Sequence, residues 1–357
     1  MRVVQLLPCL RRGDAIGNDA RALQKILKEA GYETMIYTQE IWPGIPEEEW
    51  KRVSDMPALS DEDILIYHAS VGTDLNFTLP SLGGKKVMIY HNITPQRFFR
   101  RYSRETEQNV KKGYEGIRYL ADKMAYAIAV SDYNRQELRR MGYTCPIDVC
   151  PILIPFSDYD RAPDEKFLEK YRDGKKNWLF VGRIAPNKKP EDVIRAFAVY
   201  HRDYEPESRL MLIGSTGNVK LYDQALENYI RALGLENDVV MPGHVSFDEI
   251  LASYRAADVF VCMSEHEGFC VPLAEAMYFG VPIVSFASSA IPETLGKAGL
   301  LLHEKRPELV AAAVDRVLTD GELRDALVQA GKERLKDFSY ESVKERFLDC
   351  LNKVIQN

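Results

Sequence analysis

The chain has 357 residues, 46% of them hydrophobic and 28% charged, with a formal net charge of −6. That is enough chain for about two ordinary domains, and the balance excludes a disordered, fibrous or low-complexity protein. The excess of acid lies in residues 177–357, and no nucleic-acid partner is expected.

The first segment, "MRVVQLLPCLRRGD", has a short apolar run from Val3 to Leu10 broken by Gln5 and Pro8. It is too short for a membrane span and lacks a signal-peptide cleavage pattern. The six cysteines (Cys9, Cys145, Cys150, Cys262, Cys270 and Cys350) include no C-x-x-C pair, so neither a zinc ribbon nor a disulfide framework is indicated. A cytoplasmic location is the expectation.

Along the chain, short β-branched runs alternate with amphipathic stretches, which predicts parallel sheets with helices on both faces. Strands are expected at "RVVQLLP", "ETMIYT", "DILIYHA", "KVMIYHN", "AYAIAVS" and "IDVCPI", with helices near 18–30, 105–123 and 132–141. After a connection rich in proline and charge at 151–176 the pattern restarts with "NWLFVGR", "RLMLIGS", "DVVMPG", "DVFVCMS" and "PIVSFAS". Helices near 188–203, 219–233, 246–256 and 272–279 separate these strands. Three charged helical stretches follow "AGLLLHE", the last opened by Ser339 as a cap. Two Rossmann-like units follow: domains at 1–160 and 161–338, with a terminal helix at 339–357 expected to return to the first domain.

In such sheets ligands bind beyond the carboxyl ends of strands, where helix N-termini present free N–H groups. The loop "EHEGFCVPLAEAMYFGVP" follows a strand, carries Glu267 and Glu275 either side of Gly268, and places Pro272 in the first turn of a helix that Gly280 stops. Gly268 permits close backbone approach, amides near Phe269 and Cys270 can face an anion, and the two carboxylates can accept from hydroxyls. A nucleotide sugar offers all three targets; a capping charge at Glu267 and a surface role for Glu275 is the bland alternative. In "FVGRIAPNKKPEDVIRAF" a strand ends at Gly182 and Arg183, and Lys188 precedes the next helix, with Lys189 as its rival in register. Fixed cations at a sheet edge suit a diphosphate. Gly17 opens a helix after the first strand and could approach phosphate or sugar, although "GDAIGNDA" is not G-x-G-x-x-G. His68 and His91 both end strands, and His91 is the better candidate for substrate contact.

Together "GDAIGNDARAL", "YHNITP", "VGRIAPNKKP", "AADVFVCMSEHEGFCVPLAEAMYFGVP" and "SAIPETLGKAGLLL" resemble the retaining nucleotide-sugar glycosyltransferases of family 4, with the GT-B fold. The resemblance implies an α/β architecture of two Rossmann-like domains facing across a cleft. It implies that Glu267 holds donor-sugar hydroxyls, that Glu275 holds the ribose, that Arg183 and Lys188 neutralise the diphosphate with Gly17 at its other side, and that His91 sits near the reacting sugar carbon. Amides around Gly268, Phe269 and Cys270 would touch the donor, and His244 and Val245 would lie against the base. Cys270 departs from the family, which commonly has glycine there.

The implied reaction is front-face transfer of a hexose-type sugar from a UDP- or GDP-linked donor, with no protein nucleophile, no metal and no cofactor beyond the co-substrate. Asp61 and Asp63 in "DEDILIY" are read as preceding a strand, not as metal ligands. A glycan or lipid-linked acceptor in cell-surface polysaccharide or glycolipid synthesis is expected. Residues 97–123 hold eight basic and four acidic side chains with Phe98, Phe99, Tyr102, Tyr114 and Tyr119, which suggests either a solvated helix face or a surface that meets anionic membrane lipid peripherally or an anionic acceptor. A sugar-nucleotide epimerase of GT-B-like fold and a non-catalytic nucleotide-sugar binding protein are the rivals.

Overall fold

The computed structural model describes residues 1–11, 13–217 and 219–356. Two parallel sheets organise them, each inside its own compact unit. One unit consists of residues 1–96, 105–155 and the chain from Asp337 on; the other consists of 97–104 and 156–336.

In the first unit seven strands are β1 (Val3–Leu10), β2 (Ile36–Ile41), β3 (Trp50–Arg52), β4 (Ile64–Ala69), β5 (Lys85–Tyr90), β6 (Tyr126–Ala129) and β7 (Ile147–Val149). They lie in the order β3-β2-β1-β4-β5-β6-β7. The helices are α1 (Ala15–Glu29), the single-turn α2 (Leu75–Thr78), α3 (Arg104–Tyr119) and α4 (Asp132–Arg140). A sheet covered on both faces needs strands that are apolar throughout, and β1 and β4 are buried almost end to end. Leu6, Leu65, Tyr67, Met88 and Ala127 pack into one cluster with Ile117 of α3 and Leu138 of α4. Asp63 does precede its strand: its carboxylate receives the Arg2 backbone N–H and guanidinium, both at 2.7 Å.

In the second unit come α5 (Glu165–Tyr171), β8 (Lys176–Val181), α6 (Pro190–Asp203), β9 (Ser208–Ile213), α7 (Lys220–Ala232), β10 (Val239–Val240), α8 (Phe247–Ala256) and β11 (Val259–Cys262). They are followed by α9 (Val271–Tyr278), β12 (Ile283–Phe286), α10 (Ile291–Leu295), β13 (Gly299–Leu302), α11 (Pro307–Thr319) and α12 (Gly321–Arg334). The sheet order is β10-β9-β8-β11-β12-β13. The last helix, α13 (Tyr340–Gln356), belongs to the first unit, where Lys353 pairs with Asp148 at 2.5 Å and Lys344 with Glu29 at 2.6 Å. Side chains fix the helix starts: Ser131 caps α4, Asp164 caps α5, Asp320 caps α12, and Ser246 with Glu249 forms a capping box on α8.

The basic, aromatic stretch 97–123 is divided between the two units. Residues 97–104 belong to the second unit, where Phe98 and Phe99 are buried and Tyr102 packs edge-on against Tyr222. In the first unit, Tyr114 donates to Glu137 at 2.8 Å, and of the five rings only Tyr119 is exposed. The charges remain outside, with Arg97, Arg100, Arg101, Arg104 and Lys111 all exposed. No helix among the described residues is long and apolar enough to cross a membrane.

The order of each sheet reverses once, between β1 and β4 and between β8 and β11, so the loops leaving these neighbouring strands diverge and open a crevice. Beside the second reversal, where the ends of β8 and β9 meet, two backbones come close. Gly214 follows β9 with φ +151°, and a Cβ there would stand 1.8 Å from the carbonyl oxygen of Gly182. Gly214→Ala is therefore expected to destabilise the second unit by about 3 kcal/mol in urea unfolding. Gly174→Ala, with φ +94° and open space around it, should cost only about 1 kcal/mol.

Candidate functional site

In the second unit the candidate residues are carried by two loops, one leaving β8 and one leaving β11. After β8 the chain passes through Gly182 to Arg183, whose side chain is exposed and has no hydrogen-bond or ion-pair partner among the described residues. It then turns on a Lys188 N–H to Ala185 carbonyl bond of 2.9 Å, and Lys189 enters the left-handed region at φ 54° before Pro190 starts α6. This reversal separates the two lysines. Lys188 Nζ reaches both Glu267 oxygens, at 2.6 and 2.7 Å, whereas Lys189 faces Glu191 at 3.4 Å and Glu265 at 3.8 Å.

The loop after β11 is laced to its neighbours at every second residue or so. Glu265 N–H donates to the Asn187 carbonyl at 2.8 Å, and Asn187 Nδ2 donates back to the His266 carbonyl at 3.0 Å. Ser288 donates to the Ser264 carbonyl at 2.6 Å, Glu267 N–H donates to Ser289 Oγ at 2.8 Å, and Thr294 donates to the Phe269 carbonyl at 2.6 Å. Glu267 is thus held by its backbone as well as by Lys188, and it is buried to 6% exposure. A buried carboxylate needs such a partner, since an unpaired charge there would be expelled or neutralised.

Cys270 has φ 73° and ψ 65° and stands directly before α9, with Pro272 in the first turn. This left-handed conformation is the one that favours glycine, so the cysteine occupies a glycine-type backbone position. The N–H groups of Gly268, Cys270 and Val271 donate to no acceptor among the described residues, which leaves the head of α9 as a set of free donors. Cys270 Sγ lies 4.0 Å from Cys262 Sγ, and both thiols are free.

One turn into α9, Glu275 sits in a different environment. Tyr159 donates to its Oε1 at 2.8 Å and Tyr254 to its Oε2 at 2.7 Å. Burial pushes its carboxyl above the usual range, and the two phenols pull it partway back. Val245 belongs to the second unit's hydrophobic core just before α8, while the His244 side chain is exposed.

In the first unit, Gly17 lies in the first turn of α1, where Asp14 accepts from its N–H at 3.4 Å. A Cβ at this position would come within 2.4 Å of the Arg11 carbonyl oxygen, which explains the glycine by close approach alone. His91 follows β5 directly and is buried. Its Nε2 is 2.9 Å from His68 Nδ1, and His68 Nε2 is 2.8 Å from Gln5 Oε1, so the two histidines form one buried chain of contacts. Asn92 after it has φ 88°, and its amide donates to Asn134 at 2.8 Å and Glu137 at 3.1 Å.

Among the described residues two sets of side chains have ligand atoms close enough to hold a metal ion: Asp19, His68 and His91, and Cys262, Glu267 and Cys270, each set within 4.8 Å. In each the best donors are already committed, Glu267 to Lys188 and His68 to His91 and Gln5. The structure therefore groups Lys188, Glu267, Gly268, Phe269 and Cys270 in one place and Glu275 a turn away, with Arg183 on the loop beside them. The sequence reading missed Asn187, Ser289, Tyr159, Tyr254, Gln5 and Asp19. Gln5 alone carried a signal, as a polar residue inside an apolar strand.

The family description "Glycosyl transferases group 1" matches residues 162–334. The chain is 28% identical to the O-antigen chain mannosyltransferase B of Escherichia coli over 291 residues, 80% of this chain and 73% of that protein. It is 30% identical to the D-inositol 3-phosphate glycosyltransferase of Kineococcus radiotolerans over 50% of this chain, and spans only 44% of that relative's length. Among solved structures, HepE of Anabaena in complex with UDP and glucose superposes with a TM-score of 0.76 at 17% identity, over 99% of this chain and all of that one. The two-sheet architecture is that of the GT-B fold, and residues 162–334 match the group 1 glycosyl transferases.

Proposed function

We propose that the chain transfers a hexose-type sugar, with retention, from a nucleoside-diphosphate sugar to a glycan or lipid-linked acceptor in cell-surface polysaccharide or glycolipid synthesis. The observation that carries this reading is the part-buried Lys188–Glu267 pair placed at the head of α9 with its free N–H groups. It sets a cation and amide donors, which suit a departing diphosphate, against a carboxylate, which suits sugar hydroxyls. The O-antigen mannosyltransferase relative favours a hexose and a surface polysaccharide, and the UDP and glucose held by HepE favour a nucleotide-linked donor.

In this reading the bond from the anomeric carbon to phosphate breaks, and the electron pair goes to the diphosphate. The acceptor oxygen bonds the same face of that carbon, and its proton passes to the departing phosphate. Arg183 and Lys188 neutralise the developing charge, so the step calls for no metal and no protein nucleophile. Glu267 accepts from donor-sugar hydroxyls, Glu275 from the ribose, and Gly17 lets backbone approach the diphosphate. His244 and the backbone at Val245 meet the base. His91 serves the reacting sugar. The exposed arginines Arg97, Arg100 and Arg101 would bring the protein to the anionic cytoplasmic face of a membrane that carries a lipid-linked acceptor.

The decisive experiment is a panel of UDP- and GDP-linked hexoses, each tested for binding, hydrolysis and transfer by mass spectrometry. One donor should be cleaved with its sugar recovered on an acceptor. Interconversion of the donor sugar without acceptor would make the protein an epimerase, and binding without turnover would make it a binding protein. Against the active donor, Arg183→Ala should leave folding unchanged and lower kcat about a hundredfold through lost leaving-group stabilisation. Glu275→Ala should instead weaken nucleotide binding by roughly 1–2 kcal/mol, seen by calorimetry with the nucleoside diphosphate alone. Liposome flotation with anionic lipid should weaken on charge reversal at Arg97, Arg100 and Arg101, and binding unaffected by those changes rules this surface out.

A further inference from the structure

The buried polar chain of the first unit ends on an atom with nothing to bond. His91 Nδ1 has no hydrogen-bond partner among the described residues, although the side chain keeps only 1% of its exposure. Its contacts decide what kind of atom it is. Gln5 Nε2 donates to the Ala20 carbonyl at 2.9 Å. A carbonyl can only accept, so the orientation of the amide is fixed and Gln5 Oε1 is the acceptor that faces His68. His68 Nε2, 2.8 Å from that oxygen, must therefore carry the hydrogen.

A neutral imidazole has one N–H, which leaves His68 Nδ1 with a lone pair. His91 Nε2, 2.9 Å away, must then be the donor of that contact, and His91 Nδ1 is left as a bare acceptor. Burial holds both rings neutral: it pushes His91 down to about 3 and His68 well below the usual histidine range, with the neighbouring His91 adding to the effect. Asp19 does not divert the chain. Its Oδ1 accepts the Leu153 N–H at 2.8 Å, and its Oδ2 is 3.9 Å from His91 Nε2, beyond hydrogen-bond distance.

We propose that Gln5 and His68 are positioning residues that lock His91 as the Nε2–H tautomer and so present Nδ1 as a fixed acceptor for a hydroxyl group of the sugar substrate. Phosphate-ester oxygens carry no hydrogen at neutral pH and are repelled by a bare lone pair, so the ring selects the hydroxyl-bearing part of the ligand over its leaving group. The identity of that ligand rests on the transferase reading above; the lock itself is a property of the fold.

The test is long-range proton–nitrogen correlation of the full chain with imidazole-labelled histidine, tractable with six histidines, assigned through His68→Asn and His91→Gln. His68 and His91 should both show the Nε2–H pattern without ligand. His68→Leu removes the acceptor that holds the hydrogen on Nε2 and should admit the Nδ1–H form of His91 alongside the Nε2–H form, with kcat for the active donor lowered in proportion to the competent tautomer lost. His68→Asn keeps an oxygen acceptor near the place of Nδ1 and should restore both the tautomer and most of kcat. If His68→Leu does not fold, Gln5→Leu and the wild-type spectrum decide.

A wild-type His91 protonated on Nδ1, or a tautomer unchanged in His68→Leu, overturns the proposal. So does wild-type kcat in a His68→Leu protein that has lost the lock. A locked His91 in a protein that turns over no nucleotide sugar leaves the lock standing and removes the transferase reading instead.

Discussion

The Lys188–Glu267 pair is the constraint on which the second unit's site depends. It joins the loop leaving β8 to the loop leaving β11, the two neighbours at which the sheet order reverses. Two charges taken out of water are costly, and the cost is offset only when the geometry is good and the remaining lone pairs are met. Both Glu267 oxygens face one ammonium, and the Asn187 and Ser289 contacts fix the backbone just before it and at its own N–H. Loss of Lys188 would strand the buried Glu267 charge, and loss of either partner would release the loop that sets the head of α9. Position and charge are thus supplied by one interaction.

The first unit meets the same demand without charge. Its polar side chains Gln5, His68 and His91 stand inside a parallel sheet, where neutral groups are far easier to bury than ions. A chain of contacts that starts at a main-chain carbonyl leaves little freedom for any proton along it. Asn92, in a left-handed conformation, turns the chain immediately after His91 and is tied to α4 through Asn134 and Glu137. The ring therefore gains its orientation from the sheet on one side and from a strained, anchored turn on the other.

Much of this was legible because parallel strands are uniformly apolar and their helices carry caps. Every strand read from an apolar run is present, while β3 and β13 escaped notice: Trp50, Lys51 and Arg52 form an edge strand with two exposed charges, and Gly299 to Leu302 is four residues beside a turn. The glutamate loop was readable from its punctuation, since Pro272 can only start a helix and Gly280 can readily end one. What sequence could not supply was which ring of a basic, aromatic stretch points inward, hence the burial of Phe98 and Phe99. Nor could spacing choose between Lys188 and Lys189, because the choice turns on one residue entering the left-handed region. Cys262 and Cys270 meet only because a strand end and a helix start converge, which no local pattern records.

The two glutamates of that loop are not equivalent, and the difference follows from their partners. Glu267 answers a full cation, so its negative charge is balanced within the protein and a neutral ligand can approach without bringing a charge of its own. Glu275 answers two neutral phenols, which satisfy one lone pair on each oxygen and leave its charge unbalanced in a half-buried setting. A carboxylate has about four lone-pair positions, so two hydroxyls of a diol can bind Glu275 without displacing Tyr159 or Tyr254. Each added donor favours the ionised form that burial opposes. A ligand presenting paired hydroxyls there would therefore be bound by a group that its own binding completes, whereas at Glu267 the protein has completed the group beforehand.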